Sequence, residues 1–72
     1  MDATDFSLRG EHITLDALLK ASGQVSSGGD AKRLIAAGGV RVNGEVETRR
    51  GRKLRAGDAV TVGATSLRVR GA

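Results

Sequence analysis

The chain has 72 residues and a formal net charge of +4, with no cysteine, tryptophan or tyrosine and one phenylalanine, Phe6. That length supports one domain, expected to span residues 1–72, with a modest core of Leu, Val, Ile and Ala. It excludes a disulfide framework, thiolate chemistry and a cysteine-ligated metal, and no apolar run approaches the roughly 20 residues of a membrane-spanning helix. The acidic start, MDATDFSLRG, lacks an apolar stretch of signal-peptide length, so a cytoplasmic protein is expected.

In chain order, Phe6 and Leu8 alternate before Gly10, which predicts a short strand over residues 5–9. Leu15, Leu18 and Leu19 follow with the spacing of one helical face. Thr14 stands at the N-cap, Asp16 in the first turn, and Gly23 after Ser22 at the C-terminal stop. A second helix begins at Ser26-Ser27 with Asp30 three residues after Ser27, a pattern similar to a capping box. Its inward residues are Ala31, Leu34 and Ile35, and Gly38-Gly39 ends it.

From Val40 the period becomes two. Val40 and Val42 alternate with Arg41, Asn43-Gly44 marks a tight turn, and Val46 resumes the pattern. Residues 49–53 contain no apolar side chain and read as an exposed loop, after which Leu54 returns to the core. Ala56-Gly57-Asp58 is a turn, Gly63-Ala64 a hairpin tip, and Val60, Val62, Leu67 and Val69 alternate with polar residues. The expected fold is α+β, two helices packed on a small antiparallel sheet. The N-terminal strand is expected to pair with the C-terminal strand, closing that edge and bringing the termini together.

No constellation suits catalysis. His12 is the only histidine and lacks an acid or nucleophile partner in the sequence, and the acids Asp2, Asp5, Glu11, Asp16 and Asp30 are scattered. Glu45 and Glu47 share a strand face and read as a solvated pair. Gly28-Gly29 precedes a helix but lacks the lysine of a nucleotide-binding loop. We expect no enzyme, no cofactor and no metal.

Charge carries the functional signal. Residues 1–31 hold two basic and five acidic side chains, whereas residues 32–72 hold ten basic and three acidic ones. Arg49, Arg50, Arg52, Lys53 and Arg55 place five cations in seven residues, and Lys32, Arg33 and Arg41 precede them. Like charges so concentrated repel one another, which points to an anionic partner, and arginine's planar fork suits phosphate. The chain lacks aromatic platforms for unpaired bases, and its second helix offers little for reading base edges in DNA. Structured RNA, gripped through its backbone, is the expected partner of a monomer.

The stretch from Ser27 to Val62 resembles the RNA-binding domain named after ribosomal small-subunit protein four. The residues that carry the resemblance are Ala31, Leu34, Ile35 and Gly38 of a helix; Val40, Val42, Asn43 and Gly44; a basic loop; and Gly57, Asp58 and Val60. The whole layout is similar to short stand-alone bacterial members, the YbcJ-like proteins. The resemblance implies two helices on a small sheet. It also implies RNA of the ribosomal or transfer type, on the ribosome or its precursors, held by Lys32, Arg33, Arg41, Arg49, Arg50, Arg52, Lys53 and Arg55. One position departs from the pattern: many members have Ser-Arg where this chain has Ser27-Gly28.

Three rival readings share parts of this pattern. A protein-interaction adaptor would use the basic loop to meet an acidic partner, and a DNA-binding protein would use the same cations. A β-grasp sulfur carrier shares the V-x-V-N-G strand and the late G-D-x-V, but works through a terminal Gly-Gly where this sequence reads Arg70-Gly71-Ala72.

Overall fold

The computed structural model describes residues 2–71. Strand β1 (Asp2–Ser7) leads through the two-residue β2 (Ile13–Thr14) into helix α1 (Leu15–Ala21), followed by helix α2 (Gly28–Ala36). The remainder is strand-rich: β3 (Val40–Val42), β4 (Glu45–Val46), β5 (Lys53–Leu54), β6 (Ala59–Val62) and β7 (Thr65–Arg70). The main sheet has the order β1-β7-β6-β3-β4, and β2 and β5 pair in a separate two-stranded ribbon.

Both helices stop in the same way. Beyond α1, Gly23 N–H donates to the Lys20 carbonyl and Gln24 N–H to Leu19; beyond α2, Gly38 N–H donates to Ile35 and Gly39 N–H to Leu34. This is the Schellman arrangement, which needs a left-handed residue just past the cap. Gly23 and Gly38 supply it, with φ of 80° and 79°. Gly39 serves another purpose: a Cβ there would lie 2.6 Å from Leu34 Cδ1, so its bareness lets the chain turn tightly over the helix end.

The core is aliphatic. Leu15, Leu18 and Leu19 of α1 and Ala31 and Ile35 of α2 form one buried cluster with Val40, Val42, Val60, Leu67 and Val69 of the main sheet, Leu54 of β5 and Leu8. Strand alternation sends Arg41, Arg68 and Arg70 to the opposite face. Val46, which continues the apolar alternation, is 51% exposed on β4 at the sheet edge.

Three expectations need correction. The β1–β7 pair is parallel, with Asp2 opposite Thr65 and Ser7 opposite Arg70, so the sheet is mixed. Parallel neighbours need a long crossover, and the two helices and five strands between β1 and β7 provide it. The start of β1 therefore lies beside the start of β7, a full strand length from its end, and the two ends of the described chain are not brought together. The strand expected over residues 5–9 begins earlier and stops at Ser7, although Leu8 N–H still donates to the Arg70 carbonyl.

The two motif segments of the sheet are tied by side chains. Asn43 and Gly44 have φ of 52° and 86°, the two left-handed residues of a tight hairpin between β3 and β4. Asn43 Nδ2 donates to Asp58 Oδ1 at 3.0 Å, and Asn43 Oδ1 accepts from Ala59 N–H at 2.9 Å. Asp58 Oδ2 in turn accepts from Arg55 N–H at 2.8 Å. Asn43→Ala removes both amide contacts and places a less tolerant residue at positive φ. It should cost about 1–2 kcal/mol in urea unfolding with an unchanged slope, whereas exposed Glu45→Ala should stay within about 0.5 kcal/mol.

Candidate nucleic-acid interface

The loop that carries most of the cations is built around an acid. Glu47 follows β4, and its N–H donates to the Val40 carbonyl at 3.0 Å, carrying the β3–β4 pairing one step further. The residue is only 6% exposed. Its Oε2 accepts from Arg49 N–H and Arg49 Nε, each at 3.2 Å, and its Oε1 accepts from Arg49 Nη2 at 3.3 Å and Arg52 Nη1 at 3.0 Å. The pair read from sequence as solvated is thus split: Glu45 is exposed, and Glu47 is the hub of the loop. The signal in the sequence was its place two and five residues ahead of arginines.

The hydrogen bonds of Arg49 and Arg52 drive the Glu47 carboxyl from its ordinary 4.5 down to a pKa of about 2, against the opposing pull of burial. Arg49 holds its own proton more firmly for the same reason.

The loop is fixed at a second point. Thr14 occupies the N-cap of α1 with extended backbone, yet its side chain makes no capping bond. Instead Leu15 N–H donates to the Arg52 carbonyl at 2.9 Å and Asp16 N–H to the Arg50 carbonyl at 3.1 Å. These are N–H groups that a helix leaves without internal partners. The β2–β5 pairing, Ile13 with Leu54 and Thr14 with Lys53, continues the same seam. The arginine loop is the cap of α1, tied to it by backbone hydrogen bonds.

Held in this way, Arg49 is 76% and Arg52 34% exposed in their side chains, and Arg50, Lys53 and Arg55 are exposed around them. Arg49, Gly51, Arg52 and Lys53 line a shallow recess of about 400 Å³. Lys32 and Arg33 are exposed on α2, whose C-terminal stop leads directly into Val40, the residue that receives Glu47 N–H. Arg41 is separate: its side chain stands on the sheet face turned away from the helices, opposite Val46 and Thr61. Among the described residues, Lys32, Arg33, Arg41, Arg50, Lys53 and Arg55 enter no ion pair. A larger recess of about 500 Å³, lined by Phe6–Gly10, His12, Ile13 and Ala21, contains no carboxylate.

The second helix with its stop at Gly38, the Val40–Val42 strand with its Asn43-Gly44 turn, the basic loop and the Gly57-Asp58 turn into β6 carry the family pattern read from the sequence. The model of the S4 domain matches residues 6–70. The chain belongs to the S4 domain family. It is 43% identical over 60 residues to the probable ribosome maturation protein RlbA of Bacillus subtilis, covering 83% of this chain and 84% of that one. It is 45% identical over 58 residues to the putative RNA-binding protein YbcJ of Escherichia coli, covering 81% and 83%. The solution structure of YbcJ, described as revealing a motif involved in RNA binding, superposes with a TM-score of 0.73 at 41% identity, over 97% of this chain and 90% of that one. No helix among the described residues of this S4 domain is long and apolar enough to cross a membrane.

The sign of the pH effect follows from the lowered pKa of Glu47. The folded state binds this proton less readily than the unfolded chain, so its contribution is complete above about pH 4.5 and is lost as pH falls toward 2. Urea midpoints measured from pH 7 to pH 2.5 should converge for the wild type and Glu47→Gln at the acid end, and separate above pH 4.5 with the wild type more stable.

Proposed function

We propose that this S4 domain is a non-catalytic, cytoplasmic, single-domain module that binds structured RNA of the ribosomal or transfer type as a monomer. In this reading Lys32, Arg33, Arg49, Arg50, Arg52, Lys53 and Arg55 meet the phosphate backbone across the α2 and loop surface, and Arg41 meets phosphate from the other side of the sheet. The observation that carries the reading is the loop itself. Evolving a buried carboxylate and a helix terminus to hold arginines outward makes sense where those arginines meet a fixed pattern of anions. A polyanion neutralised by such groups releases counterions, which makes affinity fall with salt. The names of the B. subtilis and E. coli relatives favour RNA, and the former favours ribosome precursors as the place of action.

Fluorescence anisotropy with a ribosomal RNA fragment, a transfer RNA and a DNA duplex tests this over a range of salt. Wild type should bind the RNAs in preference to DNA, with a steep log–log slope. The variant with Arg49, Arg50, Arg52 and Lys53 all changed to alanine should lose roughly 0.7–0.9 of slope for each phosphate contact removed. Equal, weak binding by the two proteins would point to an adaptor for an acidic protein instead.

A second variant separates order from charge. Glu47→Gln raises the net charge by one, so a purely electrostatic loop should bind RNA more tightly. A loop that works because it is ordered should bind roughly fivefold more weakly, since two arginines then have to be immobilised on binding.

A further inference from the structure

The sheet face opposite the helices has a composition that the helix–loop surface does not explain. Two rows of cross-strand neighbours describe it. In one, Val46, Arg41, Thr61 and Ser66 lie side by side across β4, β3, β6 and β7. In the other, Ala59, Arg68 and Asp5 lie across β6, β7 and β1, with Arg70 two residues beyond Arg68. All three arginines are exposed, and Arg68 and Arg70 border a shallow recess with Ala56, Gly57 and Gly71.

Among the described residues of these rows the only acid is Asp5, whose Oδ2 accepts from Arg70 Nε at 2.9 Å. Arg41 and Arg68 enter no ion pair there. Arg41 has Val46 and Thr61 as cross-strand neighbours, and Arg68 has the small Ala59 and the engaged Asp5. A sheet face built only for solubility mixes both signs and pairs opposite charges across strands. This face carries three arginines against one acid among its described residues, and that acid is engaged across the strands by Arg70, which leaves Arg41 and Arg68 without an ionic partner there. Strand spacing sets Arg41 and Arg68 on the order of 12 Å apart, a span suited to two phosphates and too wide for one small anion. Bulky aromatic side chains are absent from these rows, which fits backbone contact with a folded strand and not stacking of unpaired bases.

We propose that this sheet face is a second RNA-binding surface, with Arg41 and Arg68 as its phosphate contacts and Arg70, oriented by Asp5, at its margin. It lies across the thickness of the domain from the helix–loop surface, and the shortest dimension of the molecule is 20 Å. One molecule can therefore lie between two RNA segments and hold them together. The proposal rests on RNA being the partner of the helix–loop surface, and turns the lone contact of Arg41 on the far face into a surface shared with Arg68 and Arg70.

The test immobilises a synthetic RNA stem–loop, saturates it with protein, and then supplies the same stem–loop carrying a fluorophore. Wild type should capture the labelled RNA at low salt. Arg41→Ala/Arg68→Ala should bind the immobilised RNA but capture at least tenfold less of the labelled one, with a solution slope lower by roughly 1.4–1.8. Arg41→Lys/Arg68→Lys should restore most of the capture. Both pairs lie on exposed strand positions, and thermal unfolding checks that the fold persists. Undiminished capture and slope in Arg41→Ala/Arg68→Ala overturns the second surface while leaving the first intact. Failure of wild type to bind the immobilised RNA at all overturns the RNA reading as a whole.

Discussion

The seam between the arginine loop and the start of α1 is the constraint on which the rest of the surface depends. A helix start leaves N–H groups in need of acceptors, and a loop of consecutive arginines is a poor candidate for order, since its charges repel. The structure joins the two problems. The loop turns the carbonyls of Arg50 and Arg52 to the helix, while Glu47 neutralises Arg49 and Arg52 from beneath. Leu54, fully buried immediately after, pins the loop's exit to the core. Apolar packing, helix capping and charge compensation thus meet within a few residues. The cationic surface inherits its rigidity from the same contacts that stabilise the fold.

What the sequence made legible was local. Helix stops at Gly23 and Gly38, the Asn43-Gly44 turn and the alternation of β6 and β7 depend on neighbours only a few residues apart, and all appear where the pattern puts them. Ser27 caps α2 by accepting from Asp30 N–H at 3.2 Å, as its spacing suggests. Thr14 marks the right position but the wrong chemistry, because its acceptor role passes to carbonyls from residues far along the chain. The β2–β5 ribbon was illegible for a related reason: two residues on each side carry no periodicity. The parallel sense of β1 was hidden too, since alternation fixes which face a strand buries but not its direction.

At the candidate site, the cations themselves were plain in the sequence and their arrangement was not. Charge counting treats Glu45 and Glu47 alike, although one is solvated and the other buried beneath the arginines. Arg41 sits between Val40 and Val42, so the period of two already placed it on the outer face. Grouping it with Lys32 and Arg33 followed nearness along the chain and overlooked that alternation. Arg68 and Arg70 draw no attention in the sequence, because what distinguishes them is their surroundings on neighbouring strands.

The parallel pairing of β1 also dictates an order of assembly. Asp2 and Thr65 are partners although 63 positions separate them, whereas the β6–β7 hairpin closes over two residues. Closing the longer loop costs more chain entropy, and it returns little until β7 already stands in register on β6. As the polypeptide leaves the ribosome, β1 must wait until Thr65–Arg70 has emerged before finding its place. The helices and the arginine loop can assemble on β3 and β6 in the meantime, which makes β1 the last element to dock.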